Sequence, residues 1–172
     1  MRTNSFREIR FFLAIPILLC ALRSFGQKPD SLLGPPTEQH QISQMFSYLN
    51  QFRIQHGLPS LRLDRRLCRA AGQHAEDMAQ YSYFSHRGRR HFLFASSPGS
   101  RAAASGYQWK AIAENICAGY RSVAAAFQSW ELSAEHYRNL IDPRYRDAGI
   151  GIARSSTKTY WVLLLALQWN GD

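Results

Sequence analysis

The stretch Tyr160-Trp161-Val162-Leu163-Leu164-Leu165-Ala166-Leu167 decides the architecture. It is continuously apolar, opens on aromatic and β-branched residues, and is short for a helix. A strand without apolar–polar alternation is covered on both faces. The sequence therefore predicts a central strand in a small sheet with helices on each side. Just upstream, Ala148-Gly149-Ile150-Gly151-Ile152-Ala153 reads as a second strand, joined to the first near Ser155-Ser156-Thr157-Lys158.

The helices lie further upstream. Thr37 opens one that carries Ile42, Met45, Phe46, Leu49 and Phe52 at helical spacing and ends at His56-Gly57. Leu58 to Leu63 reads as a connection, and Asp64 caps a second helix with Leu67, Ala70, Ala71, His74, Ala75 and Met78 facing inward. Residues 85–100, rich in Ser, Gly and Arg, read as a long loop, and Arg101 to Ser105 as one helical turn before Gly106. Ser122 caps a helix from Val123 to about Ser133, with Val123, Ala126, Phe127 and Trp130 on one face. No internal repeat is present.

At the start, Arg2, Arg7 and Arg10 precede the apolar run Phe11 to Leu22, and Ser24 and Gly26 supply small residues. This is the pattern of a secretory signal over residues 1–26, cut near Gly26. The run is well short of the ~20 residues a membrane-spanning helix needs. Residues 27–36, with Pro29, Pro35 and Pro36, read as a linker, which leaves 37–172 as one domain. Export makes the protein secreted or periplasmic.

The whole chain has 172 residues and a net charge of +9. With 45% hydrophobic and 19% charged residues it is globular, which excludes disordered, collagenous and polytopic membrane classes. Loss of the leader leaves 17 basic and 11 acidic residues, or +6. Arg62, Arg65, Arg66 and Arg69 form a stripe around the second helix, and Arg87, Arg89 and Arg90 follow His86. An anionic membrane or acidic envelope polymer suits such an excess, as does a merely solvated face. Nucleic acid is not expected, since no reading module is present. Two cysteines remain, Cys68 and Cys117. They form either one disulfide, as export permits, or two buried thiols.

No Gly-rich phosphate loop, nucleophile elbow, His-Glu-x-x-His or Cys-x-x-Cys occurs. The chemistry-bearing residues left are dispersed: His86, Glu114 and His136. Two imidazoles and a carboxylate suit zinc, or acid–base work near neutral pH. His74, among apolar neighbours, reads as a satisfied core histidine; His40, His56 and His91 read as surface residues.

An ordered set of short matches is more specific than any of these alone. It runs through Leu49-Asn50 to Arg53, Gly57-Leu58 to Leu61, and Leu67 through Ala71-Gly72-Gln73-His74-Ala75 to Met78-Ala79. It continues with Phe84-Ser85-His86, Arg101, Gly106-Tyr107, Glu114-Asn115-Ile116, Gly119 and Trp130 to Ser133 to His136-Tyr137-Arg138-Asn139. Gly149-Ile150-Gly151 and Tyr160-Trp161 complete it. On these residues the chain resembles the CAP superfamily, in its cysteine-poor bacterial branch. The resemblance implies an α+β fold: a three-layer α-β-α sandwich with a small central antiparallel sheet and an open cleft. It implies that the cleft is lined by His86, Glu114 and His136, which can bind a divalent metal such as zinc, with Asn115 and Ser133 in support. Ser133 stands where the family carries a second Glu, three residues beyond the helix Trp. On a continuous helix Ser133 and His136 share a face.

The expectation is therefore a monomeric, exported binding module whose cleft takes a divalent metal or small ligand, with lipid or cell-envelope binding at its surface. A metal-assisted hydrolase using the same residues is a second reading, disfavoured because no nucleophile with an adjacent base is evident. A structural envelope protein with a vestigial cleft is a third.

Overall fold

The computed structural model describes residues 37–89 and 97–171. The leader, the linker, Arg90 and His91 lie outside the described residues. The elements run α1 (Glu38–Gln55), β1 (Arg62–Leu63), α2 (Arg65–Tyr81), α3 (Pro98–Ala104), β2 (Trp109–Ala118), α4 (Val123–Glu131), α5 (Ala134–Leu140), β3 (Asp147–Arg154) and β4 (Thr159–Gln168). The sheet order is β1-β3-β4-β2.

The long apolar run is β4, buried from Thr159 to Ala166 and flanked by β3 and β2, both antiparallel to it. Alternate residues serve two cores. Trp161, Leu163 and Leu165 join Ile150, Ile152, Phe127, Trp130 and the α1 residues Met45, Leu49 and Phe52. Val162, Leu164 and Ala166 join Leu67, Ala70, Ala71, Ala75 and Met78 of α2. The result is three layers, with α2 and α3 on one face of the sheet and α1, α4 and α5 on the other.

In one respect the sheet differs from the antiparallel one expected: β1 pairs with β3 in parallel, Arg62 opposite Asp147, so the sheet is mixed. Two residues cannot show a period of two, which is why this segment reads as a connection in the sequence.

All three anticipated caps form, the Ser122 hydroxyl accepting from the Ala125 amide at 3.2 Å. The Thr37 side chain accepts from the His40 amide at 3.2 Å, and Asp64 Oδ1 accepts from the Arg66 and Leu67 amides at 2.8 and 3.3 Å. The six inward positions predicted for α2 are all buried. That helix lies directly on β3 because Gly149 and Gly151 have no side chain. A Cβ on Gly151 would stand 2.2 Å from the Ala71 carbonyl carbon, and one on Gly149 2.2 Å from that of Leu67. On the other side Arg53, fully buried, ties α1 to the end of α5 by donating to the carbonyls of Leu140 and Asp142 at 2.9 and 3.1 Å.

The cysteine alternatives resolve to two free thiols. Cys68 sits on α2, whereas Cys117 faces the opposite core and donates toward the Ala126 carbonyl at 3.8 Å, so the sheet lies between them. Burial pushes the Cys117 thiol up to about 12.

Candidate functional site

β2 is an edge strand, and the site assembles around it. Residues that alternate along a strand face opposite layers. Glu114 therefore turns toward α2 and α3, and Asn115 toward α5.

The Glu114 carboxylate is buried, its side chain only 1% exposed, and both oxygens are engaged. Oε1 accepts from His86 Nδ1 at 2.9 Å, and Oε2 accepts from Arg101 Nη2 at 2.5 Å. Arg101 also donates through Nη1 to the His86 carbonyl at 3.1 Å, so one guanidinium fixes both the carboxylate and the loop that carries the imidazole. A carboxylate only accepts, so Nδ1 of His86 donates, and in the neutral ring Nε2 keeps a free lone pair. That ring is half exposed.

His74 lies beneath this group. Its Nε2 donates to the Ser85 carbonyl at 2.9 Å and stands 3.9 Å from Glu114 Oε1. Burial, and next the Arg101 charge, push its imidazole below the ordinary range and keep it neutral. It is the core histidine expected but only half satisfied: Nε2 holds the loop beside His86, while Nδ1 is buried with no hydrogen-bond partner among the described residues.

His136 comes from α5, on the other layer. Burial, and next repulsion from the His86 imidazole, lower its proton affinity. Asn115 positions this side: its Nδ2 donates to the His136 carbonyl at 3.1 Å and its Oδ1 accepts from Asn139 at 2.8 Å. Ser133 is not on one helix with Trp130. The helix predicted from Val123 to about Ser133 stops at Glu131, and Ser133 becomes the N-cap of α5. Ser133 and His136 nevertheless both line a cavity of ≈ 470 Å³, together with Tyr83, Phe84, Ile116, Cys117 and Tyr120.

The expected metal set is thus only partly assembled. His86 and His136 keep imidazole nitrogens that fit a borderline metal, and neutral imidazole is the form that ligates. Glu114, with both oxygens spent on Arg101 and His86, fits the role of orienting His86 rather than ligation. Among the described residues no group of three His, Cys, Asp or Glu side chains converges as a ready-made metal cage.

No role for Arg101 follows from the sequence alone. Its signal is the one charge in the turn Pro-Gly-Ser-Arg-Ala-Ala-Ala, on a helix otherwise made of small residues.

Comparison with known proteins agrees with this architecture. The cysteine-rich secretory protein (CAP) family pattern matches residues 46–165. The chain is 30% identical over 111 residues to the uncharacterized membrane protein YlbC of Bacillus subtilis, covering 64% of this chain but only 31% of that one. An extracellular SCP-domain protein of Bacillus anthracis superposes with a TM-score of 0.65 at 25% identity, over 78% of this chain and 45% of its own. An outer surface protein of Borrelia burgdorferi reaches 0.70 at 17% identity, over 78% and 97%. NaASP2, crystallised with Zn2+, reaches 0.51 at 17%, over 77% and 83%. The chain therefore spans less than half of the Bacillus proteins it resembles. With the three layers, the cleft and a family match over most of its described length, this protein belongs to the CAP family.

Proposed function

We propose that this is an exported binding module whose cleft, at the open edge of the sheet, takes a small ligand or a divalent metal between His86 and His136. One observation carries the reading: a buried carboxylate, locked by Arg101, holds Nδ1 of a half-exposed histidine and leaves Nε2 free. Such an arrangement fixes the tautomer and the orientation of the ring. A divalent ion bound there would act as a Lewis acid toward a ligand oxygen. The residues of the chain itself orient the imidazoles and exclude bulk water from one side.

Export is supported by the leader pattern of residues 1–26 and by extracellular or surface-located relatives. Arg65, Arg69 and Arg87 are exposed, and they extend the proposal to an anionic envelope surface. The test is calorimetric titration of the mature protein with zinc. Binding is expected to weaken at least about tenfold in His86→Ala and in His136→Ala, the loss of one coordinate bond. Stoichiometric zinc binding unchanged in both variants would refute the cleft assignment.

A further inference from the structure

The outer rim of β2 borders the same cavity as Ser133 and His136. Backbone groups of an antiparallel edge strand alternate between its partner and the outside. The Gly119 amide donates to the Thr159 carbonyl at 2.9 Å, one step beyond the Ala118–Tyr160 pair, so odd-numbered residues face β4. Glu114, Ile116 and Ala118 then turn their N–H and C=O groups outward, and these have no partner among the described residues.

Ile116, Cys117 and Ala118 all line the ≈ 470 Å³ cavity. Side chains of consecutive strand residues point to opposite faces, so joint lining means that the strand's rim is the cavity floor. One wall is Ser82 to Phe84, after α2; the other carries Ser133 and His136. Exposed edges are commonly blunted by Pro, Lys or a bulge. Glu-Asn-Ile-Cys-Ala contains neither residue, and the register shift in β2 lies at its other end, between Trp109 and Ala111.

We propose that this rim receives an extended peptide segment as an added strand, one carrying alternate apolar and acidic side chains. Main-chain hydrogen bonds to Ile116 and Ala118 supply the register, as in other cases of strand addition. Charge complementarity selects the acidic side chain: Lys158 lines the cavity and no carboxylate does. Phe84 and Tyr120, 55% and 39% exposed, offer apolar contact for the alternate positions. Two outward residues on the rim match a ligand of about three residues, roughly 10 Å of extended chain. The proposal rests on reading the cleft as a ligand site, and not on the metal.

The test uses the full chain and a dye-labelled, end-blocked pentapeptide, Val-Glu-Val-Glu-Val, read by fluorescence polarisation and amide hydrogen exchange. Binding is expected to slow exchange of the Ile116 and Ala118 amides. The same peptide methylated at alternate backbone nitrogens should bind at least about tenfold more weakly, the loss of one or two hydrogen bonds. Lys158→Glu should weaken the acidic peptide and favour its Lys counterpart. This variant changes an exposed side chain and leaves the ladder intact. Equal binding of the methylated peptide, or unchanged exchange at both amides, overturns the proposal. So does concentration-dependent protection without peptide, which assigns the rim to a second copy. Zinc uptake without peptide binding overturns the strand proposal alone; peptide binding without zinc uptake overturns the metal reading alone.

Discussion

Replacing Glu114 by Gln removes one charge and leaves the shape nearly unchanged. The wild-type carboxylate presents two acceptors to two donors, Nδ1 of His86 at 2.9 Å and Nη2 of Arg101 at 2.5 Å. Gln presents one oxygen and one NH2, so one donor now faces another donor. The remaining guanidinium is 7% exposed and loses the Glu114 charge opposite it. Breaking a buried pair from one side costs about 3–5 kcal/mol, because the partner charge stays behind uncompensated. For a domain of this size that is roughly 10–15 °C in Tm. The double variant Arg101→Met with Glu114→Gln removes both charges and should cost less than the sum of the singles by at least about 2 kcal/mol. Urea unfolding followed by circular dichroism gives all four corners of the cycle. A Glu114→Gln cost below about 1 kcal/mol, or strict additivity, refutes the argument that this pair is mutually dependent and desolvated.

Stability should fall on mild acidification. His74 and His136 both have proton affinities lowered in the folded state, so the unfolded chain binds more protons. Their contribution is present above the ordinary value of 6.5 and is lost as the pH drops below it. Unfolding free energy measured between about pH 7.5 and 5.5 should decrease, with a shallower slope in His136→Gln; a flat profile in the parent contradicts this. A separate test concerns the α2–β3 contact. Gly151→Ala drives a methyl group into the Ala71–Gly72 backbone and should cost about 3 kcal/mol or more. Gly72→Ala in the same helix meets nothing within 4 Å and should stabilise by up to about 1 kcal/mol. Equal effects of the two would discredit the close approach.

The parts of the fold legible in the sequence are those with long, unmixed patterns. β4 has its unbroken apolar run, and α2 has six inward positions at helical spacing behind an Asp cap. β2 escaped because its alternation is written in Ala, Glu and Asn, residues with weak strand preference. The helix through Ser133 read as continuous because nothing in Trp-Glu-Leu-Ser-Ala is a strong breaker. The break comes from tertiary structure, with Trp130 buried in the core and Asn115 bonded to the His136 carbonyl. His86, Glu114 and His136 were recognisable by resemblance. The division of labour among them was not, since it depends on Arg101, which is near Glu114 only in space.

The two glycines of β3 have a mechanical consequence. At Gly149 and Gly151 the backbone of α2 rests directly on β3 with no side chain between them to rotate or slide, so α2 and the His86 loop at its end form a stiff jaw. The opposite jaw, α5, is a helix of seven residues with only Leu140 buried, and its N-cap makes no side-chain hydrogen bond. Sparse packing of that kind is where low-energy opening is found. His86 therefore stands on the rigid side of the cleft and His136 on the more sparsely packed one, an asymmetry set by residues outside the cleft.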